Sequence, residues 1–178
     1  MFSIKRIIRI SAIAPLFLAL ITLQSCGTSK SEKVAMQITV SSEGPYFSGS
    51  NSFFNEYNVD LASLISEKSL TTDDIKSVKL VKAAIRPSEG TDIGFNQFSS
   101  ASLQVVSDNT PMTSIAILNP IPDGASASIQ LNASEEADLT DYFKEASFTY
   151  LLDLDFKEDD YSDAMSLSLD LELIIEYN

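Results

Sequence analysis

Cys26 carries the only thiol in the 178-residue chain and follows Leu23-Gln24-Ser25 at the close of an apolar stretch. A cysteine sulfur is a strong nucleophile and a point of covalent attachment. The second set of residues with chemistry in them is acidic: Asp153 and Asp155, then Glu158, Asp159, Asp160 and Asp163. Clustered carboxylates suit a hard cation such as calcium, and a facing pair of carboxylates is the machinery of glycoside hydrolysis. The acidic run lacks the glycine and the distal glutamate of an EF-hand loop. Asp153 and Asp155 also alternate with apolar residues, which places them on the wet face of a strand. The residue types that are missing narrow the field further. The chain has no His and no Trp. Without His or a second Cys there is no Ser-His-Asp or Cys-His nucleophile and no His or Cys zinc site. With 6 glycines in all, no glycine-rich phosphate loop is present. The expectation is a non-enzyme, with no catalytic residue, no cofactor and no metal ligand assigned.

Residues around Cys26 give its sulfur a role. Lys5, Arg6 and Arg9 make a basic start, and Ile10 to Leu23 is apolar apart from Ser11 and Thr22, with Pro15 interrupting it. Spanning a bilayer takes about 20 apolar residues, and this run is shorter and broken. A small residue, Ser25, precedes the cysteine, and Leu23 stands two positions before that. This pattern resembles the lipobox of bacterial lipoprotein precursors, in which a dedicated peptidase cuts before a diacylated cysteine. The resemblance covers the first 26 residues. It implies that residues 1–25 are a signal peptide to be removed and that Cys26 carries acyl chains holding the protein to a membrane. Each buried CH₂ of such a chain contributes about 0.8 kcal/mol, so two or three chains anchor stably. An aspartate after the cysteine would resemble an inner-membrane retention signal; Gly27 stands there instead, which implies the outer membrane. Gly27-Thr28-Ser29-Lys30-Ser31-Glu32-Lys33 is mixed in charge, without the acidic cluster of surface-exported lipoproteins. The implied placement is a domain facing the periplasm, with residues 26–33 as the lipidated cysteine and a flexible tether.

Charge limits the partners. The net charge is −13, and removing Lys5, Arg6 and Arg9 leaves 9 basic against 25 acidic side chains, or −16. From Thr91 onward Lys144 and Lys157 stand alone against 17 acids. Such a field repels phosphate backbones, so nucleic acid is excluded as a partner. A protein or glycan partner suits the remaining residue types, with a small ligand or calcium as the alternative and a carboxylate-based hydrolase after that.

The elements that must carry these residues read as strands over 34–178, enough for one core. Val34, Met36, Ile38 and Val40 alternate with polar residues. Phe148, Tyr150, Leu152, Leu154 and Phe156 do the same, as do Met165, Leu167, Leu169, Leu171, Leu173, Ile175 and Tyr177. One apolar face and one wet face is the pattern of antiparallel sheets. Val78 and Leu80 fall on one face of the stretch Ser77 to Ile85 and Val81, Ala83 and Ile85 on the other, the pattern of a strand that carries a bulge or is covered on both sides. Lys76, Lys79, Lys82 and Arg86 on the same stretch are expected to face acids across strands. Asp60 and Asp138 each precede a short apolar pattern and are expected to cap helices, and Thr71 and Asp74 have capping-box spacing. The expected fold is all-β, a two-layer antiparallel β-sandwich with one or two short capping helices. Two aromatic groups, Tyr46, Phe47, Phe53 and Phe54 on one loop and Phe95 and Phe98 on another, either plug the ends of that core or form an exposed contact patch.

Overall fold

A computed structural model describes residues 29–65, 70–91, 93–125 and 127–178. Cys26 and the expected signal peptide lie outside the described residues. Eight strands make up the domain: β1 (Lys30–Glu43), β2 (Gly49–Asn58), β3 (Ile75–Pro87), β4 (Phe98–Val106), β5 (Thr113–Leu118), β6 (Ile129–Ala133), β7 (Ser147–Phe156) and β8 (Ala164–Tyr177). Every pairing is antiparallel, and the strands follow one another in the order β1-β2-β7-β4-β5-β6-β3-β8 before returning to β1.

That order corrects the expected two-layer sandwich: the sheet closes on itself as a barrel. In-out alternation reads alike in both architectures; only the edges differ, and here the edges are joined by very short ladders. Ser41 opposite Phe54 closes β1 onto β2. Ala116 opposite Ala133 and Ile117 opposite Asn132 close β5 onto β6. Contacts of one or two residue pairs leave no mark on a hydrophobic period, so the sequence could not reveal them. The long ladders are elsewhere. β1 runs against β8 without a break from Lys30↔Tyr177 to Glu43↔Ala164. β1 therefore starts at Lys30, and the four residues Lys30–Lys33 belong to a strand where the sequence placed a tether.

Alternation works as expected along these strands. Val34, Ile38 and Val40 point inward, as do Phe148 to Phe156 and Met165 to Tyr177 at every second position. Of the two alternatives for β3 the structure shows the bulge: the register against β8 shifts between Leu80 and Lys82, leaving Val81 outside, apart from Ala83 and Ile85 with which it was grouped, and Val78, Leu80, Ala83 and Ile85 inside. The extra residue corrects a phase error that would turn half the strand's apolar side chains to water. The region 42–52, whose Gly44, Pro45 and Gly49 read as a loop, is mostly strand: β1 continues to Glu43 and β2 begins at Gly49.

Both ends of the barrel are closed by aromatic rings. At the end where Glu43, Phe156 and Ala164 lie, Tyr46 stacks on Phe53 (5.7 Å) and Phe156 (5.2 Å), and Phe98 meets Phe156 edge-on at 4.7 Å. At the end holding Lys30, Tyr57, Tyr142, Phe143, Phe148 and Tyr150 form a second cluster, with Phe148 and Tyr150 5.0 Å apart. Two four-residue helices sit at that same end, α1 (Leu61–Leu64) after Asp60 and α2 (Thr140–Phe143) after Asp138. The Asp138 carboxylate takes the Thr140 N–H at 2.9 Å and the Thr140 hydroxyl, while Asp60 makes no side-chain cap. The expected capping box is present: the Thr71 N–H and hydroxyl both donate to the Asp74 carboxylate at 2.8 Å. No helix among the described residues is long and apolar enough to cross a membrane.

Candidate functional site

The features of the sequence that could meet a partner gather at the end of the barrel opposite Lys30. The β1–β2 connection and the acidic β7–β8 connection lie side by side there. Tyr46 and Asp160 exchange two backbone hydrogen bonds (2.7 and 2.9 Å), and the Gly44 N–H donates to the Asp163 carbonyl at 2.8 Å. Gly44 is required by this approach, since a Cβ on it would lie 1.9 Å from the Ser162 carbonyl oxygen. The bridge turns Tyr46 inward, where its hydroxyl donates to the Ser42 carbonyl at 2.6 Å. Burial pushes the Tyr46 phenol above its usual range, reinforced by the charges of Asp160 and Glu43.

Its neighbour Phe47 then points to solvent at 59% exposure, fixed in place by Asn51, whose Nδ2 donates to the Phe47 carbonyl at 2.7 Å. Across the bridge Tyr161 is exposed at 75%. Two aromatic rings thus stand out from paired loops that also carry Glu158, Asp159, Asp160 and Asp163. Tyr161 was missed in the sequence because it belongs to no alternating strand; the only signal was an aromatic residue isolated among acids. Phe54 is a third exposed ring, on the outer side of β2 beside the short seam with Ser41.

The other loop aromatics are core. Tyr46, Phe53, Phe95 and Phe98 are all buried. They are the plug of this end, so of the loop aromatics at issue only Phe47 and Phe54 belong to the surface.

Four of the six carboxylates in the acidic run accept hydrogen bonds from separate donors. Asp153 accepts from the Ser52 hydroxyl and from Gln104 Nε2, both at 2.6 Å, and Asp155 accepts from the Ser100 hydroxyl at 3.0 Å. Asp159 takes the Ser48 N–H at 2.8 Å, and Asp160 takes the Ser162 N–H at 2.8 Å and the Ser162 hydroxyl at 2.6 Å. Asp153 and Asp155 lie on the outer face of β7, away from the loop acids. Among the described residues no three acidic side chains converge in a way that could hold a metal ion. The acids act as acceptors that fasten loops and strands.

Of the basic residues expected to face acids from β3, Arg86 forms an ion pair and Lys82 meets an acid in register, whereas Lys79 stands opposite Ile174. Arg86 Nε meets the Asp170 carboxylate at 2.7 Å, and Lys33 Nζ meets Glu172 at 2.9 Å, with Lys82 opposite the same Glu172 in register. The pairing with Asp170 holds the Arg86 guanidinium above its ordinary value.

No protein-family model matches the chain, and no curated protein matches it. Among solved structures it is similar to the subviral particle protein VP2 of infectious bursal disease virus, at 15% identity and a TM-score of 0.43, over 95% of this chain and 37% of that one. The decameric BFDV capsid protein gives 10% identity and a TM-score of 0.37, over 84% of this chain and 99% of that one. A structure of carbohydrate-binding modules from the β-sandwich superfamily gives 9% and 0.30, over 82% and 56%. The chain spans little more than a third of the VP2 protein's length. At such scores and identities these likenesses carry no argument about what this chain does.

Proposed function

We propose that this is a lipid-anchored protein of the bacterial cell envelope, whose acyl chains on Cys26 hold a non-catalytic β-barrel domain at the outer membrane, facing the periplasm. The domain works by contact with a protein or glycan partner. One observation carries the reading: the chain's sole cysteine closes a basic-then-apolar leader and stands four residues before the first strand at Lys30. A modified sulfur there meets the folded domain at one end and leaves the other end, with Phe47 and Tyr161, free to touch a partner. The non-catalytic part of the reading is supported by the residue inventory, which has no His and no second thiol.

Cys26→Ala tests the anchor. Expressed in a bacterial host with lipoprotein processing, the native chain incorporates radiolabelled fatty acid and sediments with membranes, and the variant does neither. A Cys26→Ala chain that still sediments with membranes overturns the proposal.

A further inference from the structure

The barrel is electrostatically two-sided, and its polarity points in a definite direction relative to the chain's start. Strands β1, β3 and β8 are adjacent and carry six cations, Lys30, Lys33, Lys76, Lys79, Lys82 and Arg86, interleaved with five carboxylates. The opposite wall, β2-β7-β4-β5, carries Glu56, Asp153 and Asp155 and no cation at all. The remaining cations among the described residues are Lys144 and Lys157, both in connections. All the basic charge held on strands therefore stands on one wall of a molecule that is otherwise strongly negative. Lys33, Lys76, Lys79 and Lys82 are exposed there.

The first strand residue, Lys30, lies at the lower end of this same wall, opposite Tyr177 of β8, with Ile75 of β3 on the other side of Tyr177. Lys30 is four positions after Cys26. A chain extends at most ~3.5 Å per residue, so the sulfur lies within ~14 Å of the barrel's edge. By contrast, the fourteen residues of β1 cover ~45 Å at ~3.3 Å each, shortened to ~35 Å along the barrel axis by the ~40° tilt of a closed sheet. The connections bearing Phe47 and Tyr161 are thus held at the remote end.

We infer that the anchored domain leans on its membrane through the β3-β8-β1 wall, presenting that wall and the Lys30 end to lipid headgroups and turning the acid-only wall away. This rests on the reading of Cys26 as the anchor, and adds to it the surface that meets the lipid. A tether this short leaves the barrel free to roll but not to leave. Which side faces down is then set by charge. Anionic headgroups attract basic residues near the surface and repel carboxylates. The β3-β8-β1 wall, with six cations against five carboxylates, brings no net negative charge into that field, whereas the opposite wall brings Asp153, Asp155 and Glu56 alone.

Lipid-borne quenching tests the orientation in the full, processed protein. Acylation consumes the native thiol, so a single new cysteine can be labelled selectively with a fluorophore. Ala35→Cys reports the lysine wall, Glu56→Cys the acid-only wall and Tyr161→Cys the remote end; Ala35, Glu56 and Tyr161 are all exposed. In vesicles of phosphatidylethanolamine and phosphatidylglycerol with a headgroup quencher, Ala35→Cys is expected to be quenched several-fold more than the other two. Adding Lys79→Glu and Lys82→Glu, or raising salt to shorten the Debye length below ~8 Å, is expected to shrink that difference. Equal quenching at all three positions, stronger quenching at Glu56→Cys, or a difference indifferent to charge reversal overturns the inference. Mass spectrometry of the same samples separates the two readings. A chain without acyl groups removes the anchor and the orientation with it, whereas an acylated chain with uniform quenching removes the orientation alone.

Discussion

Neighbouring residues in the loops divide sharply between structural and surface roles, and substitutions will show it. Tyr46 is buried, stacked on two rings and hydrogen-bonded to Ser42, whereas Phe47 beside it touches solvent. Tyr46→Ala is expected to cost ~3 kcal/mol or more in urea unfolding, the usual range for removing a large buried ring. Phe47→Ser and Tyr161→Ser are expected to change stability by less than ~0.5 kcal/mol, as surface sites do. Glu145 offers a residue-scale test of pH. Its carboxylate accepts from the Ser107 hydroxyl (2.5 Å), the Thr110 hydroxyl (2.7 Å) and Asn109 Nδ2 (3.1 Å), and these bonds hold it below the usual glutamate value of 4.5. Asp74 is lowered by the Thr71 backbone and hydroxyl. A carboxylate lowered on folding adds stability above its unfolded value and loses that contribution as pH falls through the folded one. The melting midpoint will therefore drop in the acid range below pH 4.5, and Glu145→Gln will flatten that drop while lowering the midpoint at neutral pH.

At the scale of elements, period and phase explain both what the sequence disclosed and what it hid. The inward faces of β1, β7 and β8, the bulge of β3 and the capping box at Thr71 were legible because each is written in side-chain spacing within a few residues. The barrel was not, since its closure depends on Ser41 meeting Phe54 and on two pairs between β5 and β6, contacts between stretches far apart in the chain. The loop between β1 and β2 reads too long from sequence for a related reason: Ser50 and Ser52 are polar outward positions of β2, Ser42 is a polar residue on the inward side of β1, and all three look like turn residues. Of the candidate site, the acidic run and Phe47 could be picked out, while Tyr161 could not, because its exposure follows from the Tyr46–Asp160 bridge. The bulge gives a direct test. Deleting Val81 leaves Val78, Leu80, Ala83 and Ile85 in unbroken alternation, so the variant is expected to fold and melt cooperatively. Deleting Leu151 turns Leu152, Leu154 and Phe156 of β7 outward and is expected to abolish folding; circular dichroism and thermal melts distinguish the two.

For the whole molecule, charge is the dominant long-range term. A domain with 25 acidic side chains repels itself, and salt screens that repulsion. The melting midpoint should rise with sodium chloride. Calcium should raise it no further than magnesium at equal ionic strength, because among the described residues no three acids converge. A calcium-specific rise would identify a site that the geometry of the side chains does not provide.

The ladder between β1 and β8 has a mechanical meaning. If the chain is held at Cys26 and a partner pulls on the β7–β8 connection around Tyr161, the load enters β1 at Lys30 and leaves through β8 at Ala164. Fourteen register pairs, from Lys30↔Tyr177 to Glu43↔Ala164, then resist in shear and must yield together rather than one at a time. The single pair that joins β1 to β2 bears almost none of that load. On the proposal that Cys26 is an anchor, the strand that follows it is the one best bonded to bear such tension.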